Sequence, residues 1–517
     1  MRRPDLPEVP DPELLDVRDP AVSRAALEVF GADVWREALD WLYDRAFVRP
    51  ITKEPYPDSR LRFFGVPGEP APAPIRGRPA AEVLRAFRER VAPMTYNAQH
   101  PGSFSYFTPP PLPMSIGGEV LAQWLQQGID VWHAGPVGAF VEEEVVRWLR
   151  DLIGMGEADT WGVLTSGGVM ANLMALALAR DVHLARLLGL SRAPRGAELD
   201  GVRVYASDQT HFSVARGLDV LGFPAQTLRI LPSDDRFRLL APPVAAAIAE
   251  DREAGLVPLA ICAVAGSTNT GSVDEVPALA ELARAEDLWM HVDAAYGAAA
   301  RLSARDGDRV PGLELADTVT VDPHKWFYQA YDIGGLVVRR REDLLTTFHR
   351  APEYYRSNRP EDEPLNWYQY SIEGTRRFRA LKLWMSWQHL GTEGLAGLIE
   401  HDDDLAAYLA DELREAPDFD MACEPELSVV CFRHLPGRAA DWDPERVDAY
   451  EIALQRALEG DGAAWVSVTT LRGRTYLRAG IVNYLSTRAE IDSMLAALRR
   501  LSEGVLEDLD GGRAVHP

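Results

Sequence analysis

The chain has 517 residues, 47% hydrophobic and 26% charged, which is an ordinary balance for a soluble globular protein with more than one core. Its 78 acidic residues outnumber its 54 basic ones, and a formal charge of −24 disfavours nucleic acid and anionic membranes as partners. Three cysteines form neither a disulfide framework nor a metal-ligand spacing, no signal peptide or membrane-spanning run is evident, and we expect a cytoplasmic protein without a metal site.

The first part of the chain predicts a helical segment over residues 1–95. Residues 21–48 space their apolar side chains by three and four, as an amphipathic helix does. A Pro-rich stretch follows over residues 65–79, and residues 79–94 predict a second helix. Two such helices cannot bury a core alone, so we expect this segment to pack on another domain or on a partner subunit.

Residues 96–375 predict the main domain, in which short β-rich runs alternate with helices. This alternation is typical of an α/β fold with a mainly parallel sheet covered on both faces. Within the domain, residues 341–370 are polar, aromatic and Pro-containing, and they predict an irregular, mobile lid. Residues 376–517 predict a smaller C-terminal domain of helices and a few strands.

The first chemical signal is a turn between a strand and a helix. The segment TSGGVMANL places Ser166, Gly167 and Gly168 after an apolar strand and before a helix. Glycines in such a turn let backbone N–H groups point at an anion, and the helix dipole favours negative charge. The signal is weak by itself, because many turns of this kind are purely structural.

Two polar side chains follow later strands. His211 lies in SDQTHF and Thr268 in AGSTNT. At the same edge of the sheet, an imidazole can lie flat on the aromatic ring of a bound ligand, and a hydroxyl can reach a phenolic oxygen on that ring. The structural alternatives are a packed or surface histidine and an ordinary turn threonine.

Asp293 in HVDAAYG and Lys325 in VDPHKWF each end an apolar run. A buried carboxylate needs a partner, and a lysine at an apolar strand end is rarely structural. A pyridoxal 5′-phosphate (PLP) site requires both, since the lysine forms an imine with the aldehyde and the aspartate holds the proton on the pyridine nitrogen. For Asp293 the structural alternative is an ordinary ion pair. The small Ala295 leaves room for a flat ring.

These segments, together with RRFRALKLW, resemble the group II pyridoxal-dependent amino acid decarboxylases, which include aromatic-L-amino-acid and glutamate decarboxylases. The resemblance runs from about residue 100 to about residue 483. It implies fold type I of the PLP enzymes, with a mostly parallel seven-stranded sheet, a smaller α+β C-terminal domain and an N-terminal helical segment. It also implies a homodimer with its active sites at the subunit interface.

The resemblance assigns Lys325 to the imine, Asp293 to the pyridine nitrogen and His211 to stacking on the ring. The residues expected to hold the cofactor are Ser166, Gly167, Gly168, Val169, His211, Thr268, Asp293, Ala295, Asp322, His324 and Lys325. Val169 stands where the family commonly has Ser or Thr, so one hydroxyl to the phosphate is lost. Asp322 stands where some members have Asn, and a carboxylate there must turn away or be hydrogen-bonded elsewhere.

The family's lid carries a tyrosine that protonates the substrate carbon. Counting back from the RRF segment puts Trp367 at that place, with Tyr368 beside it and Tyr370 two residues further on. We take Tyr368 as the catalytic acid. A true replacement by Trp367 would favour an oxidative aldehyde synthase instead.

The substrate is an L-amino acid whose identity depends on the residues around its side chain. The resemblance places His100, Phe104, Tyr106, Phe107 and Trp132 at this pocket, although each can equally be part of the core. Aromatic walls favour decarboxylation of a substrate like Tyr, DOPA or Trp. The alternatives are an acidic substrate, for which Arg478 is a candidate partner, a diamino substrate, an aldehyde synthase or another PLP lyase. A non-catalytic regulator is disfavoured, since Lys325 and Asp293 are intact.

Overall fold

A computed structural model describes residues 20–43, 49–51, 56–65, 69–350, 365–437, 439 and 442–511. The chain divides into two compact units. One consists of Met1–Ser103, Ala453–Trp465 and Leu485–Pro517, and the other of Phe104–Ile452 and Val466–Tyr484.

The first unit is helical, as predicted for the N-terminal segment. Its helices are α1 (Pro20–Tyr43), α2 (Tyr56–Phe64), α3 (Ala80–Ala86) and, from the end of the chain, α14 (Arg488–Asp510). Residues 44–48 of the first predicted helix lie outside the described residues. The second predicted helix is regular only in α3 and continues as a π-turn and a 3₁₀ turn to Met94.

The second unit is built on a seven-stranded sheet. Its strands are β1 (Trp161–Thr165), β2 (Val202–Ser207), β3 (Leu228–Leu231), β4 (Val257–Val264), β5 (Trp289–Asp293), β6 (Thr318–Val321) and β7 (Gly334–Val338). The strand order is β1-β7-β6-β5-β4-β2-β3, and β7 alone runs antiparallel to its neighbours. The prediction of a mostly parallel sheet is confirmed. β5 and β6 are buried along their whole length, which explains their unbroken apolar runs.

Helices flank this sheet. They are α4 (Pro113–Leu125), α5 (Pro136–Leu152), α6 (Gly168–Leu178), α7 (Ala185–Leu187), α8 (Ser213–Val220), α9 (Ala241–Glu253), α10 (Val276–Ala285), α11 (Arg341–Phe348) and α12 (Ala380–Glu415). Helix α12 is bent at Gly391, where φ is +65°. Among the described residues, no helix is both long and apolar enough to cross a membrane.

A second sheet confirms the predicted α+β C-terminal region. Its strands are β8 (Phe419–Met421), β9 (Val429–His434), β10 (Ser467–Leu471) and β11 (Arg474–Gly480), all antiparallel in the order β10-β11-β9-β8. Helix α13 (Pro444–Asp461) lies between β9 and β10 in the chain.

The prediction of an irregular segment over residues 341–370 is wrong at its start, because Arg341–Phe348 form α11. Two acidic residues in the first turn favour this helix, and Leu344, Leu345 and Phe348 pack on the hydrophobic core. Residues 351–364 of the predicted lid lie outside the described residues. The segment resumes with a 3₁₀ turn, Trp367–Tyr370.

A buried ion pair fixes the end of β1. The Arg376 guanidinium donates to Glu142 and to the carbonyl of Leu164, at 2.7 Å from the latter, while the Leu164 N–H donates to Glu142 at 3.1 Å. Arg376 and Glu142 are both about 1% exposed in their side chains. The first arginine of the RRF segment therefore holds the strand that leads into the Ser166–Gly168 turn.

Candidate active site

A cavity of about 380 Å³ lies where β1, β2, β4, β5 and β6 end. Carboxyl ends of parallel strands share one edge of a sheet, which is where ligands bind in open α/β folds. All the residues expected to hold a cofactor line this cavity, namely Ser166, Gly167, Gly168, Val169, His211, Thr268, Asp293, Ala295, Asp322, His324 and Lys325.

The Ser166–Gly168 turn leads directly into α6. The first N–H groups bonded within the helix are those of Met170 and Ala171, which donate to the Gly167 carbonyl at 3.0 and 3.1 Å. The N–H groups at the start of the helix are thus available to an anion. A Cβ at Gly168 would lie 2.9 Å from Asp322 Oδ2, so a larger residue would require that carboxylate to shift.

His324 lies against the same turn. Its Nδ1 accepts the Ile333 N–H at 3.2 Å, and a Cβ on Gly167 would lie 3.0 Å from its ring. Burial lowers the pKa of His324, so the ring is neutral at pH 7 and its proton is on Nε2. That N–H can donate to a phosphate held at the turn.

Lys325 and Asp322 form an ion pair, with 3.3 Å between Nζ and Oδ2. Asp322 is about 2% exposed, and its Oδ1 has no hydrogen-bond partner among the described residues. Of the two expected arrangements, the carboxylate does not turn away from the site, and it is paired with the lysine instead. Attraction to the ammonium group keeps it there.

Asp293 ends β5 with its carboxylate in the cavity. Oδ2 accepts from Asn172 Nδ2 at 2.7 Å, and Oδ1 accepts the Ala295 N–H at 3.1 Å. Within the described part of the chain no cationic group lies within 4 Å of it. A buried carboxylate with neutral partners suits a protonated pyridine nitrogen, so the residues fit PLP.

His211 supplies a flat wall of the cavity. Its Nδ1 lies 2.8 Å from Ser213 Oγ, which fixes the ring. Burial lowers the pKa of His211, although the nearby Asp293 carboxylate acts in the opposite direction, and a neutral imidazole results. Thr268 also lines the cavity, and its carbonyl accepts from Arg478 Nε at 2.8 Å.

Sequence reasoning missed six residues of the cavity wall, which are Met170, Asn172, Phe212, Val264, Gly266 and Tyr296. One of them carried a readable signal: Asn172 is polar within the apolar helix VMANLMALALAR, and a buried amide needs partners. Tyr296 had no such signal. Its ring stacks on Phe107 and Trp326, with centroids 4.1 and 4.8 Å away.

Of the expected substrate-pocket residues, Phe107 adjoins the site, since its ring centroid is 6.0 Å from Lys325 Nζ. Phe104 is fully buried in the interior, Tyr106 is exposed and Trp132 is half-buried. His100 belongs to the first unit, where its Nδ1 accepts the Gly102 N–H. The described cavity wall includes none of these last four side chains.

The three aromatic residues of the 3₁₀ turn differ in their surroundings. Trp367 is about 1% exposed and donates through Nε1 to the Ala139 carbonyl, so it is part of the core. Tyr370 is buried, and its hydroxyl accepts from Arg341 Nε at 2.9 Å. Tyr368 is half-buried and is not among the residues of the described cavity wall.

Comparison with known proteins gives a consistent result. Residues 66–435 match the model of the pyridoxal-dependent decarboxylase conserved domain. An aromatic-L-amino-acid decarboxylase of Bacillus atrophaeus is 33% identical over 84% of this chain and 87% of that protein. An L-2,4-diaminobutyrate decarboxylase of Acinetobacter baumannii is 29% identical over 81% of this chain and 83% of its own.

A solved structure also matches the architecture. The crystal structure of Oryza sativa TDC with PLP and tryptamine superposes with a TM-score of 0.85 and 26% identity, covering 93% of this chain and 98% of that one.

Proposed function

This chain belongs to the pyridoxal-dependent decarboxylase family and is a PLP-dependent amino acid decarboxylase, and we propose that its substrate is an aromatic L-amino acid, converted to the amine and CO₂. One observation carries the assignment of the site. A lysine, a buried carboxylate without a cationic partner and the open start of a helix line one cavity.

Each residue has a proposed task. Lys325 attaches the cofactor covalently, and the N–H groups of the Ser166–Gly168 turn and His324 hold the phosphate. Asp293 keeps a proton on the pyridine nitrogen, and His211 covers the face of the ring. When bound, PLP supplies an electron sink for the bond between the α-carbon and the carboxylate. Tyr368 then donates a proton to the α-carbon.

Tyr368 is proposed as the proton donor because it is the most exposed of the three aromatic residues in its turn. Trp367 and Tyr370 are buried, where Trp367 donates to the Ala139 carbonyl and the Tyr370 hydroxyl accepts from Arg341. Tyr368 is half-buried and lies near the end of the segment expected to form the lid. A phenol can donate a proton to the α-carbon of a bound substrate.

The surroundings of the cavity support an aromatic substrate. The rings of Phe107, Phe212 and Tyr331 border it, and the last two are more than half exposed. In the described wall the carboxylates are Asp293 and Asp322, which are paired with Asn172 and Lys325. A diamino substrate would need a further carboxylate for its distal ammonium group.

An acidic substrate is a second candidate because of Arg478. This buried guanidinium lies 4.6 Å from the Phe107 ring centroid, and its Nη2 lacks a hydrogen-bond partner among the described residues. A carboxylate on the substrate side chain would satisfy that donor.

The working form is proposed to be a cytoplasmic homodimer, with the helical segment of residues 1–95 on the partner subunit. Large apolar side chains on α4 and α5 are exposed in the single chain, including Leu121, Trp124 and Phe140 at 47%, 66% and 54%. A second copy would bury them. Light scattering of the holoenzyme tests whether it is a dimer. The three free cysteines fit the reducing conditions of the cytoplasm.

The decisive experiment for the substrate is a panel of L-amino acids incubated with the purified holoenzyme. Amine products are identified by mass, and CO₂ and oxygen are measured in parallel. We expect turnover of Tyr, DOPA or Trp with CO₂ release and no oxygen uptake. Turnover of glutamate or aspartate alone would favour the acidic substrate suggested by Arg478. Turnover of diaminobutyrate alone would refute both the aromatic and the acidic substrate. An aldehyde product with oxygen uptake would identify an oxidative enzyme.

A further inference from the structure

Asn172 is fully buried in α6 and uses every hydrogen-bonding position of its amide. Its Nδ2 donates to Asp293 Oδ2 at 2.7 Å and to Ser213 Oγ at 2.8 Å. Its Oδ1 accepts from His291 Nε2 at 3.0 Å and from Thr320 Oγ1 at 2.6 Å. The amide therefore joins the cavity carboxylate to the interior of the sheet.

The direction of these bonds follows from a group that can only accept. The Asp293 carboxylate accepts, so the amide nitrogen of Asn172 faces it and Oδ1 faces His291. A flipped amide would set oxygen against oxygen at Asp293. Because Oδ1 cannot donate, His291 Nε2 carries a proton, and since His291 is buried and neutral, its Nδ1 accepts from Thr318 Oγ1 at 3.0 Å.

A second branch reaches His211. Ser213 Oγ accepts from Asn172, so its own hydrogen goes to His211 Nδ1 at 2.8 Å. The Ser213 backbone N–H also points at this nitrogen, at 3.4 Å. Both contacts make Nδ1 an acceptor and leave the proton of His211 on Nε2. The Asn172 amide thus fixes the orientation of the Asp293 carboxylate and the tautomer of the His211 imidazole.

We propose that Asn172 is a positioning residue that aims the Asp293 carboxylate at the ring nitrogen of the cofactor and fixes the tautomer of His211. The inference rests on the proposed role of Asp293. Because Asn172 holds Oδ2 and the Ala295 N–H holds Oδ1, the carboxylate cannot rotate freely. Loss of the amide removes one of these two restraints, so the Asp293 carboxylate can rotate away from the ring nitrogen.

The test compares two ligands of the apoprotein: PLP, and its 1-deaza analogue, in which C–H replaces the ring nitrogen. Dissociation constants come from absorbance and fluorescence titrations. A charged hydrogen bond at the ring nitrogen should make wild type prefer PLP by about tenfold or more. Asn172→Leu, or Asn172→Ser where the leucine variant yields too little folded protein, should reduce this preference to about threefold or less.

Ser213→Ala is the matched control, because it cuts the branch to His211 and leaves Asn172 on Asp293. Its preference for PLP should equal that of wild type. The ratio of the dissociation constants for PLP and its 1-deaza analogue is diagnostic, since general damage to the cavity weakens the binding of both ligands alike. Equal losses for both ligands in the Asn172 variants would overturn the inference. Absence of any preference in wild type would instead refute the role proposed for Asp293.

Discussion

Lys325 Nζ lies 3.3 Å from Asp322 Oδ2, so the proposed cofactor-binding lysine has its own carboxylate counter-ion. The same oxygen borders the phosphate turn, at 2.9 Å from where a Cβ on Gly168 would lie. The carboxylate therefore repels a phosphate bound at this turn, and this repulsion opposes loading of the cofactor.

Replacing this carboxylate by its neutral isostere should improve loading. In Asp322→Asn we expect the affinity of the apoprotein for PLP to rise about threefold to tenfold at pH 7, because the repulsion between this carboxylate and the phosphate is gone. Growth of the visible absorbance band on mixing measures it. Asp235→Asn, an exposed acid outside the cavity, should change nothing. Weaker or slower binding by Asp322→Asn would contradict this reading.

Removing the hydroxyl of Tyr368 should slow catalysis without affecting the cofactor. We expect Tyr368→Phe to lower kcat about 100-fold or more, since general acid catalysis contributes on this scale, while the dissociation constant of PLP is unchanged. Steady-state assays of amine formation check it. Tyr370→Phe, which loses only the bond to Arg341, is the control and should retain most of kcat. A kcat near wild type in Tyr368→Phe would exclude it as the acid.

Stability should fall on acidification because of His291. Burial lowers the pKa of His291 to about 4 from an ordinary 6.5, so the unfolded state binds more protons than the folded state between these values. The free energy of unfolding thus declines as pH falls, by about 2 kcal/mol between pH 7 and pH 5 from this group. Urea unfolding of the apoprotein at several pH values should show a shallower decline in His291→Gln. Parallel curves for the two proteins would disprove the assignment.

The buried pair of Arg376 and Glu142 should be costly to break. Burial raises the pKa of Glu142 and the arginine opposes that effect, so Arg376→Met leaves an uncompensated buried acid. We expect a loss of about 3–5 kcal/mol in the free energy of unfolding. Arg472→Met, which breaks an exposed pair with Asp235, should cost less than about 1 kcal/mol. A similar small loss in both variants would show that the buried pair is not needed.

The sequence was sufficient for the architecture and for most residues of the described cavity wall. Apolar runs ending in Asp293 and before Lys325 mark buried parallel strands, and such strands end at one edge of the sheet. That rule alone brings together residues far apart in the chain, and the structure places them in one cavity.

Atomic partners could not be predicted in the same way. The pairing of Asp322 with Lys325 depends on the turn after β6, and the contact of Asn172 with Asp293 depends on how α6 crosses the sheet. Neither follows from strand periodicity. The error at α11 has another cause: charged and aromatic residues suggested an irregular segment, whereas Leu344 and Phe348 supply enough apolar surface for a packed helix.

The most direct test is to reduce the holoenzyme with borohydride, digest it and map the modified peptide by mass. The sequence contains three lysines, Lys53, Lys325 and Lys382, so the assignment is unambiguous. We predict a pyridoxyl group on Lys325 and no visible absorbance band in Lys325→Ala. An unmodified Lys325, or a modification on another lysine, would contradict the account.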